Sequence, residues 1–292
     1  MSMSPCAPIQ HSPTGSHPQK IRQNLFPTLY GLAYEATPGF THTPLMHLPQ
    51  QSLIPSNEED RLLALSRYQI LGTTPERLFD DLAALTAKLF NTPIALVSLV
   101  TDDSVWFKAN FGLPDAERIA RAESLCSVAI LRNEATIFED LTQQPCALVE
   151  PQVLQALELQ FYAGYPLHTP DGFNIGALCV IDREPRTFLP DEEALLQHLA
   201  TTVLLLLELR RTSSGPAEVV GPAWEKIYTA IPPLIHSLTL LAEIGSTGTA
   251  VDVHGTLVGT TAIHHEAGQL TVLINRTISA LLAEYPARPS AS

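Results

Sequence analysis

Basic side chains are scarce: 17 Lys and Arg stand against 30 Asp and Glu, giving 292 residues a formal charge of −13. A surface for nucleic acid or for an anionic membrane needs the opposite sign, so neither partner is expected. Cysteine is scarce as well. Cys6, Cys126, Cys146 and Cys179 are too few for a disulfide framework, and no pair has the CxxC spacing of a structural zinc site. No apolar run approaches the roughly 18 residues of a membrane-spanning helix. The densest, 203–207, is closed off by Thr201, Thr202 and Glu208. The first residues lack a basic segment followed by an apolar one, so no secretory signal is read and a cytoplasmic protein with reduced thiols is expected.

What is present is unevenly spread. Residues 1–55 carry one acid (Glu35), two bases (Lys20, Arg22) and 9 of the 24 prolines. Residues 56–211 hold 23 acids and 12 bases, and the last 81 residues hold 6 and 3. The expected organisation is therefore a disordered Pro/His-rich arm over 1–55, a compact acidic domain over 56–211 and a Ser/Gly/Pro linker over 212–221. A helical hairpin or dimerisation segment over 222–286 and a short tail over 287–292 complete it.

Within the acidic domain, Ser56 is placed as an N-cap with Glu59 at the capping-box position. Leu62, Leu63, Leu65 and Ile70 form the apolar face of a helix stopped by Gly72, and Pro75 opens a second helix carrying Leu78, Leu82, Leu85 and Leu89. Residues 93–101 and 105–110 read as strands joined at Asp102-Asp103, and 161–168 and 174–181 as strands joined at Thr169-Pro170-Asp171-Gly172. Short helices are expected near 124–131 and 151–159, with a strand over 135–138. A long helix spans 190–211, opening on Asp191-Glu192-Glu193 and closing on Arg210-Arg211. Hairpins imply an antiparallel sheet, so the fold class is α+β. Beyond the linker, 223–244 and 262–285 read as helices, the first broken or kinked at Pro232-Pro233.

These residues resemble a known family. Asn57-Glu58-Glu59-Asp60-Arg61-Leu62, Tyr68-Gln69-Ile70-Leu71, Phe79-Asp80-Asp81-Leu82 and the strand from Pro93 to Val100 are similar to bacterial GAF domains. So are Trp106-Phe107-Lys108, the run from Phe161 to Leu167, and Gly176-Ala177-Leu178-Cys179-Val180-Ile181-Asp182. The resemblance covers about 56–211. It implies an antiparallel sheet with helices on one face, a small-molecule pocket on the other, and a role in sensing and signal transduction. A kinase output is not expected within residues 212–292, which hold no Gly-rich nucleotide loop.

By that resemblance, the ligand-binding residues are Trp106, Phe107, Cys126, Asp140 and Tyr162, with the segment 124–130 lining the pocket. Aromatic groups with a few polar ones suit a planar or heterocyclic ligand. The sequence also departs from the family. Val128 stands where the family commonly has His, and 140–147 lacks the usual basic and aromatic residues. Bilin attachment is not expected, Cys126 reads as a buried inert thiol and Cys179 as packing. Cofactor and ligand stay unassigned. An enzyme is not expected: Cys126, Cys146 and Cys179 do not match the pattern of the GAF reductases that act on free methionine sulfoxide. His264-His265-Glu266 is set apart as a faint likeness to a phosphoacceptor box, better explained as an exposed helix start. Two readings follow: a sensory module, homodimeric through the 190–211 helix, that binds a small molecule and signals to a separate protein, or a ligand-free dimerisation scaffold with a degenerate pocket.

Overall fold

A computed structural model describes residues 52–113, 116–212, 217–246 and 260–284. Most of the expected arm over 1–55 and the tail over 287–292 therefore lie outside the described residues.

The strands are β1 (Ile94–Val100), β2 (Ser104–Phe111), β3 (Arg118–Ala120), β4 (Thr136–Phe138), β5 (Phe161–His168) and β6 (Asn174–Asp182). They form one sheet in the order β3-β2-β1-β6-β5-β4, antiparallel at every pairing. The expected α+β class is the observed one. The central strands β1 and β6 are buried almost throughout, which explains why they read as apolar runs with little alternation.

Alternate side chains feed two cores. Ala95, Val97, Leu99, Leu178 and Val180 face the long helices, whereas Ile94, Leu96, Ala177, Cys179 and Ile181 face the opposite way. On the first face lie α1 (Glu58–Ser66), α2 (Arg77–Leu89) and α5 (Pro190–Thr212). The other face is covered by a single 3-10 turn (Arg121–Glu123) and two short helices, α3 (Cys126–Ala129) and α4 (Pro151–Ala156). The topology requires this cover. After β3 at one edge the chain must reach β4 at the other, so 121–135 crosses the sheet and carries α3 over its centre.

Several local expectations are corrected. The first helix starts at Glu58 with Asn57 in the N-cap position, and no side chain caps it. Its acids serve another purpose, because Glu58 pairs with Arg61 and Arg121. The helix also ends at Ser66, well before Gly72. The C-terminal helices are α6 (Ala217–Ser246) and α7 (Thr260–Glu284), so helix begins inside the expected 212–221 linker. Pro232-Pro233 does not break α6. Burial of Ile231, Leu238 and Ala242 against neighbouring elements holds the helix through the two missing N–H donors.

Candidate functional site

The face opposite the long helices carries a buried polar cluster. Cys126, at the start of α3, lies with its Sγ 3.6 Å from the Sγ of Cys179 on β6. Tyr162 on β5 points its hydroxyl at Cys126 Sγ, also at 3.6 Å. Cys126 is 2% exposed, and Tyr162 and Cys179 are fully buried. The Cys126 amide donates to Ser124 Oγ (3.2 Å), and Ser127 Oγ donates to the Arg121 carbonyl (2.8 Å), so α3 is pinned at both ends of its approach. Ser98 Oγ donates to the Ala177 carbonyl at 2.9 Å.

Gly164 makes the tyrosine's position possible. Residues 162 and 164 share a face of β5, and the Tyr162 ring lies along the strand over Gly164. A Cβ there would sit 2.2 Å from the phenol oxygen. The electrostatics follow from burial and pairing. Hydrogen bonding from the Cys179 thiol pulls Cys126 below the usual thiol range against the cost of burial, helped by Tyr162 and Ser124. Burial pushes Cys179 and Tyr162 well above their usual values, and the neighbouring thiols add to the rise. The two thiols thus titrate as a pair, with Cys126 the more acidic of the two.

Of the five expected site residues, Cys126 and Tyr162 meet, and Phe107 packs partly buried against the same core. Trp106 does not join them: it packs against the core under the long helices, on the far side of the sheet. The strand parity that separates it from Phe107 was readable, but which of the two faced the pocket was not. Asp140 serves a turn. Its Oδ1 accepts from the Thr142 amide (2.9 Å) and hydroxyl (2.5 Å), and these bonds, chiefly the hydroxyl's, hold its carboxyl below the usual range. Cys179, which reads as packing in the sequence, is the partner of Cys126. Its parity with Ala177 and Ile181 marked the face, but nothing in the irregular stretch before α3 marked Cys126 as the residue above it.

Behind the sheet, a second polar cluster joins three elements. Lys108 shares the helix-facing side of β2 with Trp106, and a β-bulge opposite Val97 and Ser98 brings Ala109 to that side as well. There Lys108 Nζ donates to Glu76 (2.6 Å), Thr73 Oγ1 (3.1 Å) and the Thr74 carbonyl (3.1 Å). It also lies 5.3 Å from the Phe79 ring centre and 5.9 Å from that of Trp106. Glu76 accepts as well from Arg210 at the end of α5 (2.8 Å). A single carboxylate therefore links β2, the start of α2 and the exit of the long helix.

The outer side of α5 is fastened to α7. Thr202 Oγ1 donates to Asn275 Oδ1 (2.7 Å), and Asn275 Nδ2 donates to the His198 carbonyl (3.0 Å). His264 is buried, places Nε2 3.0 Å from the Leu89 carbonyl and stacks on Phe90, while its Nδ1 has no partner. His265 is exposed and bonds Gln269. Between the two helices runs a groove of about 420 Å³ lined by Asp191, His198, His264, His265, Gln269 and Arg276, among others. Burial lowers the pKa of His198, so its ring stays neutral around pH 7. Among the described residues no group of three or more His, Cys, Asp or Glu side chains could hold a metal ion. No helix among them is long and apolar enough to cross a membrane.

An antiparallel six-stranded sheet with long helices on one face and a crossing segment on the other defines an α+β class of domain. Residues 74–207 match the GAF domain family, and this part of the chain is a GAF domain. A protein of Pseudomonas aeruginosa named as a cyclic di-GMP phosphodiesterase is 34% identical over 168 residues, 57% of this chain. The chain spans only 28% of that relative's length. Among solved structures, the GAF domain from an Acinetobacter phosphoenolpyruvate-protein phosphotransferase is 16% identical, with a TM-score of 0.41 over 55% of this chain and 98% of that one. A type II free methionine-R-sulfoxide reductase from Thermoplasma acidophilum is 19% identical, with a TM-score of 0.37 over 45% and 90%. The expectation that the chain is not an enzyme is corrected by the Pseudomonas match, since that relative is itself named as an enzyme.

Proposed function

We propose that the chain is a sensory module in which a small polar ligand, read at the groove between α5 and α7, sets how the C-terminal helices sit on the GAF sheet and so signals to a separate protein. The observation that carries this reading is the double attachment of α5. One side packs on β5 and β6, and the other is bonded to α7 through Thr202, Asn275 and the His198 carbonyl. A ligand that favours one packing of α7 shifts the population of the whole assembly by its differential affinity. The groove offers a cation in Arg276, an anion in Asp191 and neutral imidazole in His198. That set suits a ligand with an anionic group and hydrogen-bonding edges, such as a nucleotide or an amino acid. Cys126 and Tyr162 are themselves buried within a core, which supports placing the ligand at the groove.

The test is a thermal-shift panel of nucleotides, cyclic di-GMP among them, amino acids and tetrapyrroles, run on the full chain beside Arg276→Ala. A nucleotide or amino acid at 100 times its Kd should stabilise the protein by about 2.7 kcal/mol, a rise of several degrees in Tm. Arg276→Ala should remove that rise and keep the ligand-free Tm. No shift with any compound, or a shift that survives Arg276→Ala, overturns the proposal.

A further inference from the structure

We propose that Cys126 and Cys179 form a redox pair that a small peroxide closes to a disulfide across the face of the sheet. Their sulfurs stand 3.6 Å apart, and a disulfide needs about 2.05 Å. The gap of about 1.5 Å is asymmetric in stiffness. Cys179 sits on a central strand paired on both sides, while Cys126 belongs to a four-residue helix in an irregular crossing segment, so Cys126 is the residue that moves. Both thiols are free, and both face the same apolar core. Their burial selects the oxidant: hydrogen peroxide is close to water in size, whereas a bulky disulfide reagent has no approach.

The chemistry balances without any other reactant. The Cys126 thiolate attacks one peroxide oxygen, forming an S–O bond as the O–O bond breaks. The leaving hydroxide takes the proton that Cys126 gave up and departs as water. Cys179 sulfur then attacks the sulfenic sulfur, the S–S bond forms, the S–O bond breaks, and the Cys179 proton leaves with the hydroxyl as a second water. Two thiols lose two electrons, and one peroxide is reduced to two waters. Hydrogen bonds from Cys179 and Tyr162 favour the thiolate on Cys126, which makes it the attacking sulfur. Tyr162 acts as a positioning residue, because its hydroxyl bonds Cys126 Sγ and holds it beside Cys179.

The experiment treats the unsubstituted full chain with hydrogen peroxide, blocks residual thiols, and maps peptides without reduction. A linked peptide joining Cys126 to Cys179 is expected, lighter than the sum of its parts by two hydrogens and restored by dithiothreitol. Cys146 packs partly buried against the same core and is the competitor. A link through Cys146, or sulfinic acid at Cys126 with no link, overturns the proposal, as does an unchanged thiol content. A chain with Cys6→Ser and Cys146→Ser should still lose both remaining thiols, and failure to do so has the same meaning. In Tyr162→Phe the link should still form, with the midpoint of the rate–pH profile raised by about one unit through loss of a bond to the thiolate. An unmoved profile removes Tyr162 from the mechanism.

Discussion

Replacing Glu58 with alanine should destabilise the domain by about 3 kcal/mol, toward the lower end of what breaking a buried ion pair costs because Glu58 keeps some contact with water. The effect follows from what Glu58 holds. Arg61 is 1% exposed and gives Nε and Nη2 to Glu58 at 2.8 Å each, while Nη1 donates to the Val100 carbonyl at 2.7 Å. Arg121 is almost as buried, with Nη1 2.5 Å from the same carboxylate and further bonds to the Thr101 and Leu53 carbonyls. Without Glu58, two buried guanidinium groups lose the only anion they pair with among the described residues. Arg121 also accepts at its carbonyl from Ser127, so the seat of α3 loosens with it. Equilibrium urea denaturation measures the change, and a loss below about 1 kcal/mol would show that the arginines find other partners.

The same carboxylate gives a pH signature. Burial opposes ionisation of Glu58, but the hydrogen bonds and charges of Arg61 and Arg121 outweigh it and lower the pKa from 4.5 to about 2. A depressed folded value means that the stabilisation is complete above about 4.5 and is lost as pH falls toward 2. Subtracting the urea curves of Glu58→Gln from those of the parent should leave a difference that declines across that window alone.

The sheet was legible because its signals are local. The tetrad Thr169-Pro170-Asp171-Gly172 gives a turn with Gly172 at a φ of 93°, and the strands beside it pair as β5 and β6. Strand β3 was not read, since three residues with exposed ends carry no period. The buried charges were hidden for a related reason. Glu58, Arg61 and Lys108 look like solvated residues in sequence, and only the long-range approach of Arg121, Glu76 and Arg210 makes them interior. Trp106 illustrates the limit at the site. The bulge that adds Ala109 to the face of Trp106 and Lys108 leaves no mark in Val105-Trp106-Phe107-Lys108-Ala109. Cys126 and Cys179 are 53 residues apart, and their contact depends on how an irregular crossover lies on the sheet.

Gly176→Ala should cost more than 4 kcal/mol, among the largest effects a single methyl group can have here. A Cβ at this position would lie 1.9 Å from the Ser98 carbonyl oxygen and 2.9 Å from its carbon, on the neighbouring central strand. The obstacle is backbone, so no rotamer change relieves it. Strand β6 has β5 on its other side, and long helices and α3 cover its faces, so it has no direction in which to retreat. Relief therefore requires β1 and β6 to part, which removes ladder hydrogen bonds and exposes both cores along the seam. The strain also reaches the thiols. Ser98 bonds the Ala177 carbonyl, and Cys179 lies three residues beyond the clash, so a displaced β6 carries its sulfur away from Cys126. Any folded fraction of Gly176→Ala should therefore show a lower urea midpoint and form the peroxide-induced link far more slowly than the parent. A variant with the parent's midpoint would mean that the central strands tolerate a wider spacing than their packing allows.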